Sequence, residues 1–419
     1  MGCYMELIVK NVGKIDNAKV EVNGVTVITG YNSTGKSTIC RALYAIMDTF
    51  SNINSKVLFQ RQSSIISAIY NWHDNLLDEG INEDIGDKIV EMLVFYITNK
   101  KNIEDVESLY AKLNEICEEL KIEISEKTIH ILIEKYQEII TKDKEEYVQF
   151  IISRNIKNVF KNQLNHVNYK RRQVFIEIKE NKKTWAMVFK ENNLLKYNCK
   201  YITLKKPIYI EPQSILDNYD GNVYPFIRRK DDGIQEFLLF DENQNDKVTL
   251  EEYQERQENV KLINQILQDV TKGQLVANQG RSLAYAENGL KENIVCSNVA
   301  SGLKSFLIIQ RMIANGALGS GRVLIIDEPE VNLHPEWQLM LAKVLVLLNK
   351  KLNIKVVLST HSPYFLRAVE CYMNEYENDA NGKYYLTVET ENQLYTLEDV
   401  TNNRERIYKA LYRPLEEIN

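Results

Sequence analysis

The chain has 419 residues, 44% hydrophobic and 26% charged, with a formal net charge of −6. That length predicts about two to three domains with room for a sizeable core. The acidic balance excludes a chain that coats nucleic acid by being basic overall, while leaving room for a local basic patch. Apolar runs stay below the ~18 residues of a membrane span; the best, Leu339 to Leu348, is short and carries Lys343. Six scattered cysteines without a CxxC pair read as reduced thiols, and no apolar leader opens the chain, so a cytoplasmic protein without a membrane partner is expected.

Residues 5–29 alternate apolar and polar positions and predict strands over 7–9, 18–22 and 25–28, with turns at Asp16-Asn17 and Asn23-Gly24. The last of these strands runs into a Gly-rich loop, and a helix is predicted from Ser37 to Phe50. Glycine and proline nearly vanish over 51–166. The spacing of Leu109, Leu113, Ile116 and Leu120 there is that of helices packing through one apolar stripe. Residues 173–210 return to strand-like alternation, and the acidic stretch 231–259 reads as loops and a surface helix. From 260 onward helices and strands alternate. Val323–Ile326 and Lys355–Leu358 have the β-branched character of buried parallel strands.

Gly30-Tyr31-Asn32-Ser33-Thr34-Gly35-Lys36-Ser37 fits G-x-x-x-x-G-K-[ST] between a strand and a helix. Its backbone N–H groups and the helix N-terminus suit phosphate oxygens. Asn32, Ser33, Thr34, Gly35, Lys36, Ser37 and Thr38 are therefore the candidate nucleotide-binding residues. Lys36 would reach the β- and γ-phosphates, and the Ser37 hydroxyl would hold Mg²⁺. The strand Val323–Ile326 ends in Asp327-Glu328, which places two carboxylates where open α/β sheets bind ligands. Asp327 is the candidate Mg²⁺ ligand and Glu328 the candidate general base for an attacking water. Asn298–Lys304 opens another apolar helix. Its Ser301 and Gly302 form a small-residue turn that could either cap that helix or cover the phosphates of a nucleotide held by a second subunit. His361, at a strand end in Leu358-Ser359-Thr360-His361-Ser362-Pro363, is the candidate γ-phosphate sensor.

In this order the motifs resemble the ABC-type ATPase heads of SMC, RecF and OLD (overcoming lysogenization defect) proteins. The nearest likeness is to stand-alone bacterial AAA family ATPases that share the OLD-type head. The resemblance covers roughly residues 4–50 and 200–419. It rests on Val9–Ile15, Asn32 in the phosphate loop, the string Asp327–Pro335 and Thr360–Pro363. It implies an α/β P-loop NTPase of ABC-ATPase type with an antiparallel β subdomain and a large helical insertion. The expected layout is 1–50 for the β subdomain and phosphate loop, and 51–170 for the insertion. A β arm with a possible Q-loop follows over 171–230, then a C-terminal ATPase lobe over 231–419.

The resemblance further implies ATP and Mg²⁺ as cofactors and a head-to-tail dimer closing on two ATP molecules. Ser301 and Gly302 become the signature motif, Leu333 and His334 a dimer-contact loop, and Gln213 a Mg²⁺-sensing residue. Ala300 stands where the signature usually opens with serine, which implies a weaker grip on the partner's nucleotide and slow turnover. With 58 residues after His361, the metal-binding nuclease domain of OLD nucleases is not expected in this chain. The expected function is thus the regulatory ATPase of an anti-phage defence system, acting through a separately encoded nuclease or toxin. The alternative is a DNA-repair or DNA-maintenance ATPase that binds DNA directly. Residues 151–210, with fourteen lysines and arginines against three glutamates, supply the basic surface it would need. A transporter ATPase fits the long insertion and the unusual signature less well.

Overall fold

The computed structural model describes residues 5–100, 105–199, 204–211, 235–238, 250–277 and 283–416. The chain opens with β1 (Met5–Val12), β2 (Ile15–Glu21) and β3 (Val25–Thr29), followed by α1 (Lys36–Phe50). Five helices come next: α2 (Ile53–Asp78), α3 (Glu83–Asn99), α4 (Val106–Leu120), α5 (Glu126–Thr141) and α6 (Lys144–Val159). Strands β4 (Val174–Glu180), β5 (Lys183–Lys190), β6 (Asn193–Cys199) and β7 (Ile208–Ile210) precede the short α7 (Gln235–Leu238) and the long α8 (Leu250–Thr271). After β8 (Gly273–Ala277), β9 (Leu283–Glu287) and β10 (Ile294–Val295) come α9 (Ser301–Ala314), β11 (Val323–Asp327) and α10 (Pro335–Leu352). The chain closes with β12 (Lys355–Thr360), α11 (Pro363–Glu375), β13 (Gly382–Glu389), β14 (Tyr395–Asp399) and α12 (Glu405–Glu416).

Two compact units result: Met1–Ser51 with Ile156–Asn419, and Asn52–Asn155. The first is built on one mixed sheet, ordered β6-β5-β4-β1-β2-β14-β13-β3-β12-β11-β7. Strands β13, β3, β12, β11 and β7 are parallel neighbours, whereas β6, β5, β4, β1 and β2 form an antiparallel wing. This is the α/β P-loop ATPase fold with its antiparallel β subdomain. Strands β3 and β11 are buried along their whole length, which is why they read as unbroken apolar runs. In β4, by contrast, Val174, Ile176 and Ile178 alternate inward at 0% exposure. The apolar run Leu341–Leu348 is the buried body of α10 against the sheet. No helix among the described residues is long and apolar enough to cross a membrane.

The Asn52–Asn155 unit has its own core. Leu109, Leu113 and Ile116 of α4 are fully buried with Trp72 of α2, Leu93 of α3 and Tyr136 of α5, so the helical stripe is a packing face. Helix starts are fixed by side-chain caps from Asn82, Asp105 and Ser125 to backbone N–H groups of the first turn. The Trp72 indole N–H, buried, donates to the Thr128 carbonyl at 2.7 Å.

Several local expectations are corrected. The first hairpin turns at Gly13-Lys14, not at Asp16-Asn17. Val12 pairs directly with Ile15, and Gly13 takes the left-handed φ of +56° that so tight a turn requires. Asp16-Asn17 is instead a polar step inside β2, where the pairing with β14 shifts register. Helix α8 crosses the end of the acidic stretch: Gln254, Gln257 and Glu258 are exposed, whereas Val260, Ile263 and Leu267 beyond it are buried in the main core. A small antiparallel sheet, β10-β9-β8, interrupts the expected helix–strand alternation. Residues 156–170, the last turn of α6 included, cluster with the sheet-bearing unit and not with Asn52–Asn155. Leu113→Ala removes a fully buried contact of the helical unit and should lower its unfolding free energy by about 2–5 kcal/mol, read from urea denaturation.

Candidate functional site

The site forms where β3 and β11 end. Strand β3 is held between β12 and β13, so the loop after Thr29 leaves the sheet at a fixed place. The loop curls through Ser33, at φ +63°, and Gly35, at φ +95°. A Cβ on Gly35 would lie 2.4 Å from Ile15 Cδ1, so both the backbone angle and the space demand glycine. Lys36 opens α1 with its side chain 3% exposed. Its ammonium donates to the carbonyls of Gly30 at 3.0 Å and Tyr31 at 2.8 Å, and lies 3.8 Å from Glu328 Oε1. Burial lowers the Lys36 pKa, and the carboxylates of Glu328, Asp327 and Glu330 oppose that shift. Lys14, from the β1–β2 turn, donates to the Ser33 carbonyl at 3.1 Å and steadies the loop from outside.

Asp327 ends β11 with 7% exposure. The Ser359 hydroxyl of β12 donates to its Oδ1, and the Tyr209 hydroxyl of β7 donates to its Oδ2 at 3.3 Å. Both donors follow from register, because Ser359 pairs with Asp327 and Tyr209 with Ile325 on either side of β11. Burial, then the nearby Asp327 carboxylate, pushes the Tyr209 phenol far above its ordinary range, so it remains a donor. The same two causes raise the Cys40 thiol well above its usual value.

Glu328 adopts a left-handed φ of +51°, uncommon for a non-glycine residue and characteristic of functional turns. Its N–H is held by the Ser359 carbonyl and hydroxyl, each at 3.1 Å. Its carboxylate stands between Lys36 and His361, whose Nδ1 is 3.4 Å from Oε1. Glu330 accepts from the Thr360 hydroxyl at 2.6 Å and from the His361 backbone N–H at 3.2 Å. It lies 3.6 Å from His361 Nδ1, and its other oxygen has no hydrogen-bond partner. Desolvation raises the Glu330 pKa, and the Thr360 hydroxyl works against it.

A cleft of ≈ 790 Å³ opens along the loop. Ser33, Gly35, Lys36, Ser37, Thr38 and Glu328 line it, and residues of 160–170 face them. The expected site residues distribute unevenly around it. Asn32 and Thr34 do not line the cleft. The Thr34 hydroxyl is committed to the Tyr31 carbonyl at 2.8 Å and accepts from Thr387 at 2.8 Å, so this side chain braces the loop from below. Ser301 and Gly302 form the first turn of α9 away from the cleft. Gly302 lies so near the loop after β11 that a Cβ would meet the Asn332 carbonyl at 2.6 Å. Gln213 lies outside the described residues. The Ser37 hydroxyl and the Asp327 carboxylate are a donor set suited to Mg²⁺, which takes one or two protein oxygens and fills its shell with phosphate and water. No larger group of His, Cys, Asp and Glu that could hold a metal occurs among the described residues.

Sequence reasoning did not single out Glu330, Ser359, Tyr209 and Lys14 as site residues. Glu330, Ser359 and Lys14 stood inside quoted strings with no role assigned to them, whereas Tyr209 carried no signal.

Residues 5–366 match the AAA ATPase domain family. Among solved structures the chain is similar to the SMC head domain from Thermotoga maritima, with 12% identity and a TM-score of 0.37, over 96% of this chain and 99% of that one. It is also similar to an SMC head bound to the C-terminal winged-helix domain of ScpA, with 9% identity and a TM-score of 0.45, again over 96% and 99% of the two chains.

Because its folded-state pKa is raised, Glu330 contributes stability at low pH that is lost as pH rises through that pKa. Wild type should therefore lose stability relative to Glu330→Gln between acid and neutral pH. Thermal melts at several pH values check this, and a difference independent of pH would contradict it.

Proposed function

The chain belongs to the AAA ATPase domain family, and from that premise we propose that it binds ATP with Mg²⁺ in the cleft beside Lys36 and hydrolyses it there. The observation that carries this reading is the convergence of Lys36, Asp327, Glu328 and His361 at the C-terminal ends of adjacent parallel strands. The γ-phosphate takes over the Lys36 donors that now serve loop carbonyls. Ser37 and Asp327 are the residues that would hold Mg²⁺, which when bound would supply positive charge beside the phosphate oxygens. Glu328 takes a proton from the attacking water, and His361, backed by Glu330, contacts the γ-phosphate. The loop N–H groups and the start of α1 stabilise the charge that develops.

The proposed working form is a head-to-tail dimer. Ser301 and Gly302 stand apart from their own subunit's cleft, which is the placement a motif needs if it covers the nucleotide of a partner. Leu333 and His334 follow directly after the acidic strand and would meet the second copy. The dimer closes on ATP and reopens after hydrolysis. We assign it to the OLD-type branch, acting as the regulatory ATPase of an anti-phage system whose separate effector is a nuclease or toxin. The support is the acidic string Asp327–Pro335, with Glu330 built into the site.

A second reading, direct DNA binding in the manner of a repair ATPase, is favoured by one observation. Lys182, Lys183, Lys190 and Lys196 are exposed on the antiparallel wing. Purifying tagged Glu328→Gln from its host with ATP and Mg²⁺, before and after nuclease treatment, separates the two. A stoichiometric effector that survives nuclease supports the defence reading, and nucleic acid without a protein partner supports the repair reading.

Two variants test the chemistry. Lys36→Ala should abolish ATP binding in calorimetry, and retained wild-type affinity would remove the phosphate-loop assignment. Glu328→Gln should keep ATP binding, lose about 10²–10⁴-fold in phosphate release, and run as a dimer with ATP in light scattering. Unchanged hydrolysis would take Glu328 out of the base role.

A further inference from the structure

We infer that Tyr209 is a positioning residue: its ring and its hydroxyl together fix where the Asp327 carboxylate stands relative to Ser37. This role rests on the proposed assignment of Ser37 and Asp327 to Mg²⁺ and adds to it a residue of β7 that touches neither nucleotide nor metal.

The two proposed metal donors come from different elements. Ser37 lies in the first turn of α1, and Asp327 ends β11. Their separation is therefore set by how α1 packs on the sheet. On α1, Ser37, Arg41 and Tyr44 follow at i, i+4 and i+7, so they share one face of the helix. On the sheet, Tyr209 pairs with Ile325, and side chains alternate between faces, so Tyr209, Ile325 and Asp327 share one side. These two faces meet through aromatic and ionic contacts. The Tyr44 and Tyr209 rings stack with centroids 5.4 Å apart and planes 29° apart. Arg41 donates to Glu211 Oε1 at 2.8 Å, just beyond β7. The Tyr209 hydroxyl then donates to Asp327 Oδ2 at 3.3 Å. A line of contacts thus runs from the helix face that carries Ser37, through Tyr44 and Tyr209, to the Asp327 carboxylate.

Ser359 of β12 holds the other oxygen, Oδ1, from the opposite side of β11. One donor alone would leave the carboxylate free to turn about its bond to Cβ, whereas donors from both neighbouring strands, one to each oxygen, fix its plane. A carboxylate has about four acceptor sites, so two donors leave room for a cation or its water ligands. Mg²⁺ demands near-ideal octahedral geometry, and it therefore feels a small displacement of one protein oxygen. The backbone N–H groups of the phosphate loop do not depend on Asp327 for their place. Tyr209 does not line the cleft, so it acts through Asp327 and should affect the metal and leave the nucleotide's contacts with the loop unchanged. Groups that orient a metal ligand from behind are commonly worth an order of magnitude in metal affinity.

The test measures a non-hydrolysable ATP analogue by calorimetry, once in EDTA and once in saturating Mg²⁺, on wild type, Tyr209→Phe and Tyr44→Leu. Tyr209→Phe keeps the stacked ring and removes only the hydroxyl, and thermal melts check that the fold is kept. Wild type should bind the analogue more tightly with Mg²⁺ than in EDTA. Tyr209→Phe should lose about three- to tenfold of that Mg²⁺-dependent gain, while its affinity in EDTA stays within about twofold of wild type. Tyr44→Leu, which keeps the phenol and removes the ring it leans on, should lose part of the gain in the same direction, and it decides the matter if Tyr209→Phe does not fold. A full Mg²⁺-dependent gain in the variants would overturn the role, and so would an equal loss with and without Mg²⁺, which is the mark of general loosening. If wild type bound the analogue in EDTA but gained nothing from Mg²⁺, the phosphate loop would stand, and the Mg²⁺ assignment of Ser37 and Asp327 would fall together with this role. Failure of wild type to bind under either condition would remove the phosphate-loop reading as well.

Discussion

An ammonium group almost wholly removed from water is the constraint around which this protein is arranged. Lys36, 3% exposed, would be strongly destabilising unless its three donors were met. Two go to loop carbonyls, and Glu328 supplies the nearby negative charge. Those carbonyls can turn toward the lysine only because the loop curls through left-handed angles at Ser33 and Gly35. A loop curled in this way is the kind whose backbone N–H groups can face an anion. One steric requirement therefore solves the buried charge and prepares an anion site together. Asp327 and Glu330 act on the same lysine from further away, so the acidic strand is electrostatically part of the loop.

The acidic side has its own logic. Three carboxylates within four residues repel one another; Asp327 and Glu330 accept from donors of β12 and the residue after it, and the Glu328 carboxylate lies beside Lys36. Ser359 serves Asp327 through its hydroxyl and receives the Glu328 N–H through the same oxygen, while Thr360 and the His361 backbone serve Glu330. Because β11 and β12 are in parallel register, a shift of one residue would break all these contacts together. The His361 ring is left between two carboxylates, near both and hydrogen-bonded to neither through Nδ1.

How much of this was legible in the sequence depended on distance along the chain. The phosphate loop and the Asp327-Glu328 pair were readable because their chemistry is compressed into a few consecutive residues after an apolar strand. The helical character of 51–166 was readable because its stripe repeats. Tyr209 was not, since it reaches Asp327 across 118 positions through sheet order alone. Nor was the insertion of β13 between β3 and β14, which no local pattern encodes. The hairpin at Gly13-Lys14 was misplaced because Asp16-Asn17 carries stronger turn composition, yet the ladder fixed the tighter turn. The cleft wall at 160–170 had been assigned with the helices on composition, and only its bonds to Gly13 and Asn192 place it beside the loop.

The loop after β11 links these layers. Val331 N–H returns to the Glu328 carbonyl at 3.1 Å and Leu333 N–H to the Glu330 carbonyl at 3.2 Å, so residues 328–333 form a continuous set of turns. Asn332, at φ +62°, brings its carbonyl against Gly302, where a methyl group would not fit. The start of α9 therefore rests directly on the segment that carries Glu328 and Glu330. The start of α9 and the turns that carry Glu328 are thus in direct backbone contact within one subunit. In the proposed dimer, the groups that sense the nucleotide on one side and those that cover it on the other would be two ends of the same short stretch of backbone.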